Sequence, residues 1–179
     1  MFQLVYARAA LDVAQRALDE LRATPIEGPL FSDRAPIVLE RLLEVTRQIN
    51  AEAKQRQKTH PRPNFSTWWG QVPNPVREYR NVMLKGDRRD PGGWEQRTRV
   101  EVTTTFPNGA SVTTSDLRVK MEDGKAVYVR DVIKLPETAR AVWYFRDGPW
   151  HDRPVIETLE QHLVELRDDI IPEAEQFLS

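Results

Sequence analysis

Three histidines are the side chains of this sequence best suited to holding a metal ion or moving a proton near neutral pH. A metal site in this chain would use His60, His151 and His162 together with carboxylates. His162 has Glu165 three residues later, but no second histidine lies at helical spacing, so the HExxH pattern of zinc sites is absent. His162 also adjoins the apolar stripe of a predicted helix. We therefore interpret it as a half-buried helical residue and predict neither a metal ion nor a cofactor.

Charged residues on the predicted strands raise a second possibility, a nuclease that gathers carboxylates and a lysine on adjacent strands. The set is Glu101, Asp116, Lys120, Asp131 and Lys134. Asp131 and Lys134 differ in parity, however, so a regular strand turns them to opposite faces. The outer face of a half-exposed sheet accounts for such charges. Because phosphate-binding glycine loops and serine nucleophile motifs are also missing, the sequence predicts no catalytic residue. A small metal-dependent enzyme such as a nuclease is the third interpretation.

The segment over residues 54–99 interleaves Arg and Lys with Trp and Tyr. This composition favours a protein–protein contact, where Trp, Tyr and Arg are enriched. It also suits nucleic-acid binding, since cations hold phosphates and aromatic rings stack on bases. A third interpretation of this segment is that the arginines are solvated surface residues without a partner. We expect at least one tryptophan of the segment in the core. The predicted partner-binding residues are Trp68, Trp69, Arg77, Tyr79, Arg80, Arg88, Arg89 and Trp94.

The charge distribution supports a protein that works by making contacts. The net charge is −1, yet Glu52 to Arg89 carries nine Lys/Arg against three Asp/Glu, or +6, and Pro136 to Ser179 carries four against ten, or −6. The two segments either form an interaction surface or neutralise each other within the fold or between subunits. The leading hypothesis is a non-enzymatic structural subunit or accessory factor of a larger assembly, such as a virion or multi-subunit particle. Such a protein would act by self-association or by binding a protein partner. The alternative is a nucleic-acid-binding module that uses residues 54–99.

Helical periodicity marks both ends of the chain. Apolar residues recur at alternating intervals of three and four along residues 2–22, along a second helix that begins near Ser32, and along residues 152–179. The first two helices predict an antiparallel hairpin over residues 1–57. Pro172 interrupts the C-terminal helix.

The middle of the chain predicts strands. Arg99 to Phe106 alternates apolar and polar side chains, and turn sequences follow at Pro107–Gly109 and at Glu122–Gly124. Two further strands are predicted within 110–135, and a fourth over 141–145. We expect a three- to four-stranded antiparallel β-meander over 96–146, preceded by a long aromatic and basic loop over 58–95.

These elements predict a single α+β domain over residues 1–179, with the N-terminal hairpin and the C-terminal helix covering the meander. The chain has no cysteine, which excludes disulfides and thiol chemistry. We see no signal peptide and no apolar run near the roughly 20 residues that span a bilayer. The sequence therefore predicts a soluble, cytoplasmic protein without membrane contact.

Overall fold

In the computed structural model, the structure describes residues 2–25, 29–79, 94–99, 101–105, 111–115, 121–122, 125–126 and 140–179. The helices are α1 (Val5–Arg22), α2 (Pro29–Thr59), α3 (Phe65–Gln71), α4 (Val155–Glu165) and α5 (Ile171–Leu178). A helical turn covers 75–79, a 3-10 turn covers Gly148–Trp150, and a π-helix over Leu166–Ile170 joins α4 to α5. The strands are β1 (Trp94–Arg99), β2 (Glu101–Thr105), β3 (Ser111–Ser115), β4 (Met121–Glu122), β5 (Lys125–Ala126) and β6 (Arg140–Phe145).

The helices α1 and α2 form an antiparallel hairpin with contacts at both ends. The Ala7 N–H donates to Oε1 of Glu52 (2.8 Å) at one end, and at the other Nη1 of Arg34 donates to the Glu20 carbonyl (3.1 Å) and to Oγ1 of Thr24 (2.9 Å). The buried stripes are Ala7, Leu11, Ala14, Leu18 and Leu21 on α1, and Val38, Leu42, Val45, Ile49 and Ala53 on α2.

The C-terminal helix runs through Pro172 by way of the π-helix. The Ile171 N–H donates to the Leu166 carbonyl, five residues earlier. In an α-helix, the ring of Pro172 would collide with the carbonyl four residues before it. The wider turn just before Pro172 relieves that crowding and lets the apolar stripe continue. Its buried members are Val155, Leu159, Leu163, Leu166, Ile170, Ile171, Ala174 and Leu178.

The predicted β-meander is wrong. The described strands form three separate antiparallel pairs, β1 with β6, β2 with β3 and β4 with β5, and helices dominate the described chain. In the pair of longest sequence separation, Trp94 lies opposite Phe145 and Arg99 opposite Arg140. Alternation identifies a strand but not the strand with which it pairs. The sequence therefore predicted one continuous meander, whereas the described strands form three separate pairs. The predicted turn at 107–109 and the strand over 127–135 lie outside the described residues.

Aromatic contacts attach the β1–β6 pair to the helices. The rings of Phe31 on α2 and Trp143 on β6 stack at 4.9 Å, and Nε1 of Trp94 donates to Oγ of Ser32 (3.2 Å). Tyr79 packs edge-on against Phe145, with 4.7 Å between ring centroids. The region 58–95, predicted as a long loop, thus contributes α3, the turn over 75–79 and the start of β1 within the residues described.

Candidate functional site

The eight residues predicted to bind a partner lie in different environments. Tyr79 is fully buried and Trp94 is 4% exposed, so both belong to the core, while Trp68 and Trp69 are half-buried and Arg77 is exposed. Arg80, Arg88 and Arg89 lie outside the described residues. Among the described members, only the two adjacent tryptophans of α3 combine a large ring with contact to solvent.

Trp68 and Trp69 form part of an aromatic cluster between α3 and α5. Their ring centroids are 5.9 Å apart, and the Trp68 ring lies 4.9 Å from that of Phe177 and 5.5 Å from that of Phe65. Nε1 of Trp68 donates to Oε1 of Glu173 (2.9 Å). One part of each tryptophan is therefore fixed by the fold, and the remainder faces solvent as a rigid apolar surface.

Cations of the last turn of α2 and the segment after it border this cluster. Nε of Arg56 donates to the Leu178 carbonyl (3.2 Å), and its guanidinium lies 5.2 Å from the centre of the Phe2 ring. The Arg62 carbonyl accepts from the Phe65 N–H (3.2 Å), which places Arg62 beside α3. We name this surface the aromatic–basic end; its residues are Phe2, Arg56, Arg62, Trp68, Trp69 and Phe177.

A separate pocket of about 520 Å³ lies where α4 and the π-helix meet the turns over 75–79 and 148–153. Pockets of this volume hold small molecules. Pro75, Thr158 and Val164 contribute to its wall. The side chains that give the pocket its chemistry are Trp150, Arg153, Gln161, His162, Glu165 and Asp169, and we name it the His162 pocket.

His162 is more buried than its sequence position indicated, at 4% exposed. Its Nδ1 lies 3.0 Å from Oε2 of Glu165, and its ring centroid lies 5.7 Å from that of Trp150. Burial lowers the pKa of His162, and the Glu165 carboxylate only partly opposes this shift. The imidazole is therefore neutral at pH 7, with Nδ1 donating to Glu165 and an acceptor lone pair on Nε2. Within the described residues, Nε2 has no hydrogen-bond partner.

In the part of the chain that the structure describes, no three His, Asp or Glu side chains come together as a metal site. No helix of the same part is long and apolar enough to cross a membrane. Asp116, Lys120, Asp131 and Lys134 of the nuclease hypothesis lie outside the described residues.

Comparison of the chain with protein-family models, curated proteins and solved structures finds no match. The evidence for a function therefore lies in the aromatic–basic end and the His162 pocket. Sequence reasoning found the tryptophans of the aromatic–basic end and the spacing of His162 and Glu165. It missed Trp150, Arg153 and Asp169, for which no local motif exists.

Proposed function

We propose that the chain is a non-catalytic structural subunit that associates with further copies of itself through the aromatic–basic end. The observation that carries this proposal is the pair of rigid, partly exposed tryptophans bordered by cations. Tryptophan and arginine are the residues that most often dominate binding energy at protein interfaces. Because Phe177 and Glu173 hold the Trp68 ring, little conformational entropy is lost when a partner covers it.

Charge complementarity supports a second copy as the partner. Glu52 to Tyr79 carries five Lys/Arg against two Asp/Glu, whereas Arg140 to Ser179 carries four against nine. On α4 and the π-helix, the carboxylates Glu157 and Asp168 are exposed. Opposite charges on two different surfaces of one molecule favour a head-to-tail contact, which builds rings or filaments rather than a two-fold dimer.

The test is light scattering after size-exclusion chromatography, over a range of protein concentrations at low and moderate salt. We expect oligomers that persist at moderate salt. The Trp68→Ala/Trp69→Ala double variant should be monomeric while keeping the helical circular dichroism of the wild type. Arg62→Glu should weaken association. Arg41→Glu, an exposed change of the same type on the first half of α2, is the matched control and should not.

A mixing experiment tests the head-to-tail geometry. Trp68→Ala/Trp69→Ala removes the ring pair of the aromatic–basic end, and Asp168→Lys makes the acidic surface repel the cations of that end, so each variant alone should be mainly monomeric. Mixed together, they should form heterodimers that grow no further, because each pair has one intact interface. A monomeric wild type refutes the proposal. A monomer that carries nucleic acid at low salt and releases it at high salt would instead assign the cations to phosphate.

A further inference from the structure

The buried imidazole of His162 has one nitrogen that the fold satisfies and one that it closes off. Nδ1 lies 3.0 Å from Oε2 of Glu165, whereas Nε2 is shut off from solvent and has no hydrogen-bond partner within the described residues. A lone pair left unused at this position costs far less than a buried charge. A proton added to Nε2 would create a buried N–H donor that has no acceptor. The closed structure therefore suits only the neutral ring.

The ring that packs on this imidazole comes from a short surface loop over residues 146–152, which we name the Trp150 loop. The centroids of the Trp150 and His162 rings lie 5.7 Å apart at an interplanar angle of 60°. Trp150 is buried, whereas residues 147–149 before it and His151 after it are exposed. The inward side chain of Trp150 therefore holds the tip of this loop against α4.

The base of the Trp150 loop is fixed, and its tip has the backbone of a hinge. The Phe145 N–H donates to the Arg153 carbonyl and the Asp152 N–H donates to the Phe145 carbonyl, both at 2.9 Å. Gly148 and Asp152 have φ angles of 80° and 62°, in the left-handed region that few residues other than glycine adopt. Hinges absorb large changes of φ and ψ at a few such loop positions. The tip can thus move while the base keeps its hydrogen bonds.

The charges around His162 set the direction in which pH acts. Burial lowers the pKa of His162, and the carboxylate of Glu165, which is 47% exposed and screened by solvent, only partly opposes this shift. The other titratable and charged side chains that line the pocket or pack on Trp150 are Tyr79, Arg153 and Asp169. Burial raises the pKa of Tyr79, which stays neutral, and the other two are exposed. The closed state thus binds fewer protons than an open state as pH falls below 6.5, so acid favours opening.

We propose that His162 and Trp150 form an acid-sensitive latch on the Trp150 loop. While Nε2 carries no proton the tip is closed on α4, and when Nε2 gains one the tip swings outward so that water accepts the new hydrogen bond. The helix stays in place, because Val155, Leu159 and Leu163 anchor it in the core. The open form exposes the Trp150 ring, so it remains a minor form whose population acid raises. This proposal is independent of self-association.

Hydrogen exchange of single amides, followed by NMR on the full chain between neutral pH and about pH 5, tests the latch. The Arg153 N–H donates to the Trp150 carbonyl (3.0 Å) within the tip, so it exchanges when the tip opens. After correction for the intrinsic pH dependence of exchange, its protection should fall below pH 6.5 by up to about tenfold per pH unit, as one linked proton requires. The Asp152 N–H at the base should keep its protection. The fall should level off at the pH where the His162 imidazole itself titrates.

Variants separate His162 from the exposed His151 on the loop itself. His162→Leu and His162→Gln carry no titrating group, so either should abolish the pH dependence of Arg153 exchange while circular dichroism shows the helical fold. His151→Gln is the matched control and should leave that dependence unchanged. The proposal is overturned if Arg153 protection in the wild type is independent of pH, or if the Asp152 amide and the amides of the α1–α2 hairpin lose protection to the same extent. It is also overturned if a folded His162 variant retains the wild-type slope, if His151→Gln abolishes that slope, or if the wild-type curve levels off away from the titration of His162.

Discussion

Glu175→Gln is the substitution whose effect on stability follows most directly from the structure. The Glu175 carboxylate is 8% exposed and ties α5 to the start of α1. Oε1 accepts from the Leu4 N–H (2.9 Å) and from Nε of Arg8 (2.8 Å), and Oε2 accepts from Nη2 of Arg8 (2.7 Å). Glutamine has the same shape but no charge, and its amide nitrogen meets the Arg8 donor.

The expected loss is about 2 kcal/mol in the free energy of unfolding, the range for hydrogen bonds to charged groups. We take the lower part of that range because the Arg8 side chain is 46% exposed and solvent screens the pair. The Leu4 N–H keeps an acceptor in the variant, so the larger penalty for an orphaned buried donor does not apply.

The same carboxylate makes stability depend on pH. The hydrogen bond from Arg8 is the main cause that lowers the pKa of Glu175 below its ordinary value of 4.5. The folded state thus binds fewer protons than the unfolded state in acid. The stabilisation is fully present above the ordinary pKa and is lost as pH falls through the lower, folded pKa. Glu175→Gln should flatten this part of the curve.

Urea unfolding followed by circular dichroism, at neutral pH and through the acid range, measures both effects. Glu20→Gln, on the exposed side of α1, is the matched control and should change stability by less than about 0.5 kcal/mol. Our reasoning about the α1–α5 contact fails if Glu175→Gln behaves like Glu20→Gln, or if wild type and Glu175→Gln lose stability in acid with the same slope.

Two other positions give predictions of known sign. Because burial lowers the pKa of His162 below 6.5, the wild type should lose stability as pH falls from 6.5 toward the folded pKa, and His162→Leu should remove that loss. Parallel unfolding curves for the two proteins against pH would contradict this. Asp152→Ala should be about 1 kcal/mol less stable than Asp152→Gly, since both lose the carboxylate paired with Arg97 but only alanine strains the left-handed backbone. Equal urea midpoints would disprove the strain.

The helical part of the fold was predictable because its signal is local. The stripe through Leu11, Leu18 and Leu21 has the period of a helix that buries one face, and the structure buries all three. The course of the C-terminal helix at Pro172 was harder to predict from the sequence. A proline at position 172 predicts an interruption of the α-helix, but the π-helix before it accommodates the ring. No residue type before Pro172 indicates this wider turn.

The strand arrangement could not be predicted because pairing is not a local property. Alternation and turn residues gave strands on both sides of 107–109, and β2 does pair with β3. The partner of β1 is more than 40 residues away, and packing of Phe31 on Trp143 and of Tyr79 on Phe145 holds that pair in place. Those ring contacts depend on the positions of the helices, and the periodicity of a strand carries no information about those positions.

The His162 pocket was hidden from sequence reasoning for a related reason. His162 and Glu165 share one helix, so their spacing was readable, but it matches many ordinary helical pairs. Arg153 enters the pocket because Asp152 adopts a left-handed conformation, and Asp169 enters it from the π-helix that Pro172 accompanies. Residues of opposite charge beside two departures from regular backbone thus line the same pocket as His162. Neither is encoded by residue type alone, since aspartate is common at many ordinary positions. The make-up of this pocket therefore depends on backbone geometry rather than on a sequence motif.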